Sequence, residues 1–421
     1  MRRISLWTAI IFLAGTAGAQ GIPRARPGDV GLDEAALARI TPLLKSWVDS
    51  GKFAGMTAAI ARHGKLVFVT SAGALDSART QPIAEDAVFR MYSMTKPVAS
   101  VAVMQLVERG KLHVEDPVSK YIPAFANMKV YAGGGAAKPV LRNTSRQMTI
   151  ADLLTHTSGL TYGQFGNTPV DSIYVRSDFM NPAWTIKDMA DSIAKMPLMF
   201  DPGSAFNYSL AIDVLGRIVE IASGTSFDRY LETEIFQPLG MRSTAFHATP
   251  DMARRATALF VRAPGGRGLI AASPLLAPQY TDKGRYFSGG AGLLSTIPDY
   301  LRFTQMLLNG GELDGHRVLK RETVDLMMQN HIPQSAIPIF AAYPEPPGRN
   351  GFGYGGGVRM DSGGAMPGSA GTFRWSGYAS TFFWIDRKAD LIALLWTQYV
   401  PEPDVWAVDG QFQKLVYAAV K

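Results

Sequence analysis

The stretch "MYSMTKPVAS", Met91–Ser100, sets Ser93 three residues before Lys96 and follows the lysine at once with Pro97. The apolar run "VASVAVMQLV" continues it and Gly110 offers a stop, so the pattern predicts a helix that begins close to Ser93. Proline is tolerated in a first turn, where N–H groups have no intrahelical partner, and breaks a helix further in. That places Ser93 at the N-cap, with Met94 to Pro97 in the first turn. Three residues of helix bring Ser93 and Lys96 onto one face, about 5–6 Å apart at Cβ. Serine is a poor nucleophile until a base takes its proton, and lysine is a poor base at its usual pKa of about 10.4. Burial and the positive end of a helix both favour the neutral amine, and the same end favours negative charge on oxygen. The spacing can therefore build an activated serine. Taken alone it also fits an N-cap beside a surface lysine, and a second S-x-x-K copy, Ser192–Lys195, sits inside "TIKDMADSIAKM", where it would line a solvated helix face.

The rest of the chain supplies the context. Residues 1–19 begin with Arg2 and Arg3, continue as a short apolar run and end in Ala17-Gly18-Ala19, the pattern of a cleaved secretory leader. An exported protein, periplasmic or secreted, is expected. No later stretch reaches the roughly 18 apolar residues that spanning a bilayer requires. Cysteine is absent, which excludes disulfides and a thiol nucleophile. The net charge of +7 (42 Lys and Arg, 35 Asp and Glu) is small for 421 residues and its basic side chains are scattered, so no nucleic-acid partner is expected. The six histidines occur singly, outside any ligand spacing, and neither metal nor cofactor is implied. The composition, 47% apolar and 18% charged, is that of a packed globule.

Residues 33–50 carry Leu37, Ile40, Leu44, Trp47 and Val48 on one helical face. "MTAAIARHGKLVFVTSAG" reads as two strands turning at His63-Gly64. "STFFWIDRKADLIALLWTQ" repeats the pattern with its turn at Asp386–Asp390, and "DVWAVDGQFQKLVYAAV" closes the chain as a helix. The stretches 262–285 and 332–357, rich in Pro and Gly, read as long loops. Strands at both ends and helical signals between them imply an α/β (α+β) fold with one sheet assembled from distant segments. The sheet parts are about 28–90 and 286–421, the helical insertion about 91–285, and the cleft lies where they meet.

Two further segments, "LLTHTSGLTYG" (Leu153–Gly163) and "FDPGSAFNYSL" (Phe200–Leu210), together with Ser93 and Lys96, resemble the landmarks of the serine β-lactamase and penicillin-binding protein superfamily. More narrowly they resemble class C β-lactamases and their esterase relatives, the family VIII carboxylesterases, from about residue 28 to the C-terminus. The resemblance implies a central antiparallel sheet flanked by helices, with an inserted all-helical subdomain and the active site at their interface. It makes Ser93 the acylated nucleophile and Lys96 its base. Tyr208 matches the tyrosine of the family's Tyr-x-Asn motif, which shares proton transfer with the lysine, although Leu210 replaces the asparagine. Trp375, Ser376 and Gly377 stand at the substrate-binding Lys-Thr-Gly motif, and the N–H groups of Ser93 and Tyr378 would form the oxyanion hole. An indole carries no charge to hold a substrate carboxylate, so the departures favour a small neutral ester over a β-lactam. A β-lactamase, a D-amino-acid peptidase and a non-catalytic cell-wall peptide binder remain alternatives. No G-x-S-x-G elbow occurs, and His156 is expected to brace a loop rather than to act as a base.

Overall fold

A computed structural model describes residues 21–421 apart from 180, 182, 274–280, 282–283, 334–335, 337–348, 363–365 and 401–404. The expected leader, residues 1–19, lies outside the described residues. Seven strands form the main sheet: β1 (Gly55–Arg62), β2 (Lys65–Gly73), β3 (Asn350–Phe352), β4 (Gly357–Arg359), β5 (Phe373–Gly377), β6 (Thr381–Asp386) and β7 (Leu391–Thr397). Their order is β3-β4-β5-β6-β7-β1-β2, antiparallel at every pairing. The β1–β2 turn is tight because His63 (φ 51°) and Gly64 (φ 71°) both take left-handed dihedrals, the geometry that matches strand twist. The predicted 386–390 turn also forms, with Asp386 Oδ1 accepting the N–H groups of Lys388 and Ala389.

The run "LIALLW" in β7 is apolar throughout because both faces of the sheet are covered. Leu391, Ala393 and Leu395 face one core, while Ile392, Leu394 and Trp396 face the other. The outer core is closed by α1 (Ile40–Asp49) and by the C-terminal helix, whose Phe412 and Tyr417 meet Trp384. On the inner side lie α2 (Thr95–Glu108), α3 (Ala211–Ser223) and α4 (Ile297–Leu308); the C-terminal helix is α5 (Val405–Ala418). Every residue of α2 from Thr95 to Leu106 is buried, as an apolar sequence without a polar stripe requires. Antiparallel pairing of Phe89–Arg90 with Leu294–Ser295 brings the two ends of the long insertion together. Among the described residues no helix is long and apolar enough to cross a membrane.

The insertion departs from the expected all-helical character. It also holds antiparallel ribbons, Lys129–Gly135 with Lys138–Asn143 and Phe260–Arg262 with Leu269–Ala271. The second of these belongs to the sheet side, since Phe260 N–H donates to Gln398 O and Phe260 joins the outer core. The predicted loops 262–285 and 332–357 likewise contain strand: part of this ribbon, and β3 with the approach to β4. The glycines there serve close packing. A Cβ at Gly353 would stand 2.2 Å from Met327 O, and one at Gly356 would meet the Phe373 ring at 2.5 Å.

The sheet is tied to α5 by a buried ion pair, Arg374 to Asp409 at 2.8 Å, with side chains 9% and 2% exposed. Truncating one partner strands the other charge out of water. Asp409→Ala should therefore lower unfolding stability by about 3–5 kcal/mol. Asp49→Ala, which removes the exposed Lys45–Asp49 pair, should cost less than about 1 kcal/mol. Equal shifts of the two urea midpoints would refute this ranking.

Candidate active site

The site begins at the turn before α2. Residues Tyr92–Met94 form a short 3₁₀ turn and the α-helix starts at Thr95, so Met94, not Ser93, stands at the N-cap position and Pro97 is the third helical residue. The expected cap is corrected: the Ser93 side chain is left for other partners. The turn is pinned on three sides. Met91 N–H donates to Leu293 O, the Tyr300 hydroxyl donates to Met94 O at 2.9 Å, and Thr95 Oγ1 accepts from Leu293 N–H. Tyr92 is held there at φ +43°, a strained conformation for a bulky residue that costs on the order of 1–3 kcal/mol.

Lys96 is fully buried, and its Nζ lies 3.2 Å from Ser93 Oγ. The amine also reaches the Tyr162 hydroxyl at 2.9 Å and donates to Gly290 O at 2.8 Å. Loss of water around the amine pulls its pKa from 10.5 down to about 7, and the Asp213 carboxylate opposes this by favouring the ammonium. Ser93 itself is half-buried. The structure thus brings the two residues of the S-x-x-K tetrapeptide into proton-transfer distance. In the second copy, Ser192 is half-buried near the end of helix Ile186–Ile193 and Lys195 is exposed.

Tyr208 is also at the site, but by its ring: Nζ of Lys96 is 4.5 Å from the ring centroid. The phenol hydroxyl in hydrogen-bond contact with the amine is that of Tyr162, a residue the sequence reading did not single out although it lies within "LLTHTSGLTYG". Its loop is rigid and buried. Gly159 takes φ +83° where a Cβ would stand 2.4 Å from Phe200 O, and Thr161 Oγ1 donates to Asp171. Burial pushes the Tyr162 phenol well above its ordinary pKa, and Asp213 adds to this, so it stays protonated. His156 braces the neighbouring segment, as expected. Its Nδ1 accepts from Ser209 N–H at 3.3 Å, its carbonyl accepts from Asn207 N–H, and its ring lies 4.7 Å from that of Tyr208. Burial, reinforced by Lys96, holds this imidazole well below its usual pKa and hence neutral. Leu210, where the resemblance would place an amide, is a buried core residue.

The third motif forms the opposite wall on β5. Trp375 is 5% exposed, crosses Phe352 at 90° with centroids 5.0 Å apart, and stands 5.5 Å from Tyr208. Ser376 is half-buried. Gly377 passes so close to the Ser93 turn that a Cβ would sit 2.3 Å from Met91 O, which only glycine allows. That contact sets Tyr378 beside the turn, its ring 5.8 Å from Tyr92. Phe165 is 54% exposed at the rim, 6.0 Å from Tyr208. The surroundings are aromatic, and the ionisable groups nearest Ser93 are Lys96 and the Asp213 behind it. Among the described residues no group of three or more His, Asp or Glu side chains is placed to hold a metal ion.

A half-buried serine in the turn before a buried helix lies within reach of a buried amine, beside the sheet strand β5. The family model described as beta-lactamase matches residues 38–418, and the chain belongs to that family. Esterase EstB of Burkholderia gladioli is 31% identical over 390 residues, covering 88% of this chain and 93% of that protein. Among solved structures, EstCE1, a hydrolase with promiscuous acyltransferase activity, superposes with a TM-score of 0.76 at 28% identity, covering 91% of this chain and 99% of its own. A LovD6 mutant of simvastatin synthase from Aspergillus terreus gives a TM-score of 0.79 at 26% identity, covering 92% and 98%. The fold is therefore the esterase-like β-lactamase fold.

The amine of Lys96 is neutral only above its lowered pKa, so a base role predicts a rate that falls as pH drops through about 7. Covalent labelling of Ser93 by a fluorophosphonate, followed by intact mass against pH, should show this acid limb. A rate unchanged from about pH 6 to 8 would remove Lys96 as the base.

Proposed function

We propose that the protein is a serine carboxylesterase of the family VIII type that cleaves esters of small to medium acyl groups through an acyl-Ser93 intermediate. The observation that carries the reading is the 3.2 Å approach of a buried, readily deprotonated Lys96 amine to Ser93 Oγ. Ser93 gives its proton to Lys96 Nζ as its oxygen bonds to the ester carbonyl carbon, and the carbonyl electron pair moves onto oxygen. The N–H groups of Ser93 and Tyr378 hold that oxyanion. Collapse expels the alcohol, which takes the former Ser93 proton from Lys96; Tyr208, whose ring faces the amine at 4.5 Å, is the proposed relay. A water molecule, deprotonated by the Tyr208 and Lys96 pair, then attacks the acyl carbon. The acid leaves and Ser93 regains its proton.

Trp375, Ser376 and Gly377 line the substrate side. The aromatic wall of Trp375, Tyr208 and Phe165 suits an apolar acyl or alcohol group and offers no cation to a substrate carboxylate. Its rings would also shelter the acyl-enzyme from water. An alcohol arriving in place of water would make the same intermediate an acyl donor, a second reading favoured by the likeness to simvastatin synthase and EstCE1. Export through the 1–19 leader is part of the proposal, supported by its basic, apolar and small-residue order.

Ser93→Ala should abolish covalent labelling and reduce ester turnover on the order of a million-fold, the scale of nucleophile removal in serine hydrolases. Ser192→Ala should leave turnover unchanged. Full activity in Ser93→Ala would end the assignment. Across an acyl-chain panel that includes a chromogenic cephalosporin, short neutral esters should be turned over faster than the carboxylated lactam; the reverse order would favour a β-lactamase.

A further inference from the structure

Behind Lys96 lies a carboxylate that the acyl-transfer steps leave unused. Asp213, 1% exposed on the first turn of α3, accepts three hydrogen bonds on one oxygen: from Ser288 Oγ at 2.5 Å, Gly290 N–H at 3.1 Å and the Tyr286 hydroxyl at 3.1 Å. The Gly290 carbonyl is the one that accepts from Lys96 Nζ, so Asp213 Oδ1 positions the amine through a single residue, Gly290. The other oxygen, Oδ2, is buried and has no hydrogen-bond partner among the described residues. It borders a spot beside Gly290 Cα that the Tyr162 hydroxyl shares. A Cβ on Gly290 would stand 2.3 Å from Asp213 Oδ2 and 2.8 Å from Tyr162 OH, so glycine keeps the two groups open to each other. Unpaired buried carboxylate oxygens are costly, and the available donor on this side is the phenol.

Counting protons around Lys96 gives this placement a consequence. A neutral amine has two N–H bonds and one lone pair. Gly290 O can only accept, so it takes one N–H. If the Tyr162 hydroxyl also accepts, it takes the second, and the lone pair is left for the Ser93 proton. If instead Tyr162 donates to the amine, the phenol occupies the lone pair and Ser93 loses its base. We propose that Asp213 is a positioning residue for the acyl-transfer reaction: its Oδ2 takes the Tyr162 proton, directly or across one water, so that Tyr162 must accept from Lys96 and the lysine lone pair points at Ser93. Asp213 thus fixes the polarity of the amine's surroundings without touching substrate. The inference rests on the Ser93 and Lys96 reading above.

Asp213→Asn tests it with almost no change of volume. The Asn carbonyl can still accept from Gly290 N–H, while its amide now donates toward Tyr162. The phenol must accept there and turns its own proton onto the lysine. Labelling by a fluorophosphonate should slow by on the order of a hundred-fold, the scale of lost general-base help. The titratable groups facing Lys96 are Tyr162 and His156 from the 155–163 loop, Tyr208 before α3, and Asp213 with Tyr286 behind it. Of these Asp213 favours the ammonium, so its neutralisation should also move the acid limb to lower pH. Adding Tyr162→Phe to Asp213→Asn removes the misdirected donor, and the double variant should label faster than Asp213→Asn alone. A structural defect would not be rescued in this way. Should Asp213→Asn fail to fold, a crystal structure of the wild-type protein decides: Asp213 Oδ2 should meet the Tyr162 hydroxyl, or one water shared with it, at about 2.6–3.2 Å. Wild-type labelling rates with an unmoved acid limb in Asp213→Asn, no rescue in the double variant, or an Oδ2 bonded elsewhere would each overturn the inference. Its failure is distinct from failure of the esterase reading, which Ser93→Ala reports.

Discussion

A primary amine shut away from water is the constraint on which the site depends. Moving the Lys96 pKa from 10.5 to about 7 corresponds to roughly 5 kcal/mol against the charged form. Left alone, such an amine would be a liability to folding. Here its oxygen partners converge from distant parts of the chain: Ser93 before α2, Tyr162 in the 155–163 loop and Gly290 ahead of α4. The helical insertion, which leaves the sheet near Phe89 and returns near Leu294, is what carries the last two to the first. Burial of α2 on all sides is the means by which the amine is desolvated, so packing and reactivity have the same cause.

Rigidity around Ser93 follows from the same arrangement. A left-handed Tyr92 persists because hydrogen bonds from Tyr300, Leu293 and Met91 leave the turn no alternative, and strain of this kind gathers where a group must be held at one angle. Gly377 then passes against Met91 O, closing the distance between β5 and the turn. The proposed oxyanion donors, the N–H groups of Ser93 and Tyr378, are main chain and need no particular side chain. In the proposed reaction the electrostatic part of the site is therefore independent of the residues at 375 and 210.

How much of this was readable in advance depends on the range of the interaction. The two central hairpins were legible because strand period and turn chemistry are local, as His63-Gly64 and Asp386–Asp390 show. Ser93 and Lys96 were legible because a helix turn fixes their separation. The strands β3 and β4 at one end of the sheet were not, since "NGFGYGGGVR" spends its glycines on close approach to Met327 and Phe373, and close approach leaves no periodic mark. Tyr162 and Asp213 escaped for a further reason. Nothing local distinguishes a loop tyrosine or a first-turn aspartate from ordinary packing and helix-dipole residues, and their roles exist only once α2, α3 and the 286–290 segment meet. The Ser93 cap was misplaced by one residue because Pro97 is equally at home one position nearer the helix start.

The departures from the family pattern have a common physical direction. Where the resemblance calls for a cation the chain presents Trp375, packed edge-on against Phe352 and beside Tyr208. Where it calls for an amide the chain buries Leu210 in its core. Each change removes a group that would stabilise a substrate charge, and neither touches the amine, its acceptors or the backbone donors. In the proposed reaction recognition and chemistry are thus carried by separate atoms: the former by side chains on β5 and before α3, the latter by main chain and a buried lysine. A site so divided can lose its preference for anionic amides while keeping a nucleophile strong enough for esters. An ester, whose alkoxide is a better leaving group than an amine, needs less of the electrostatic help that was given up.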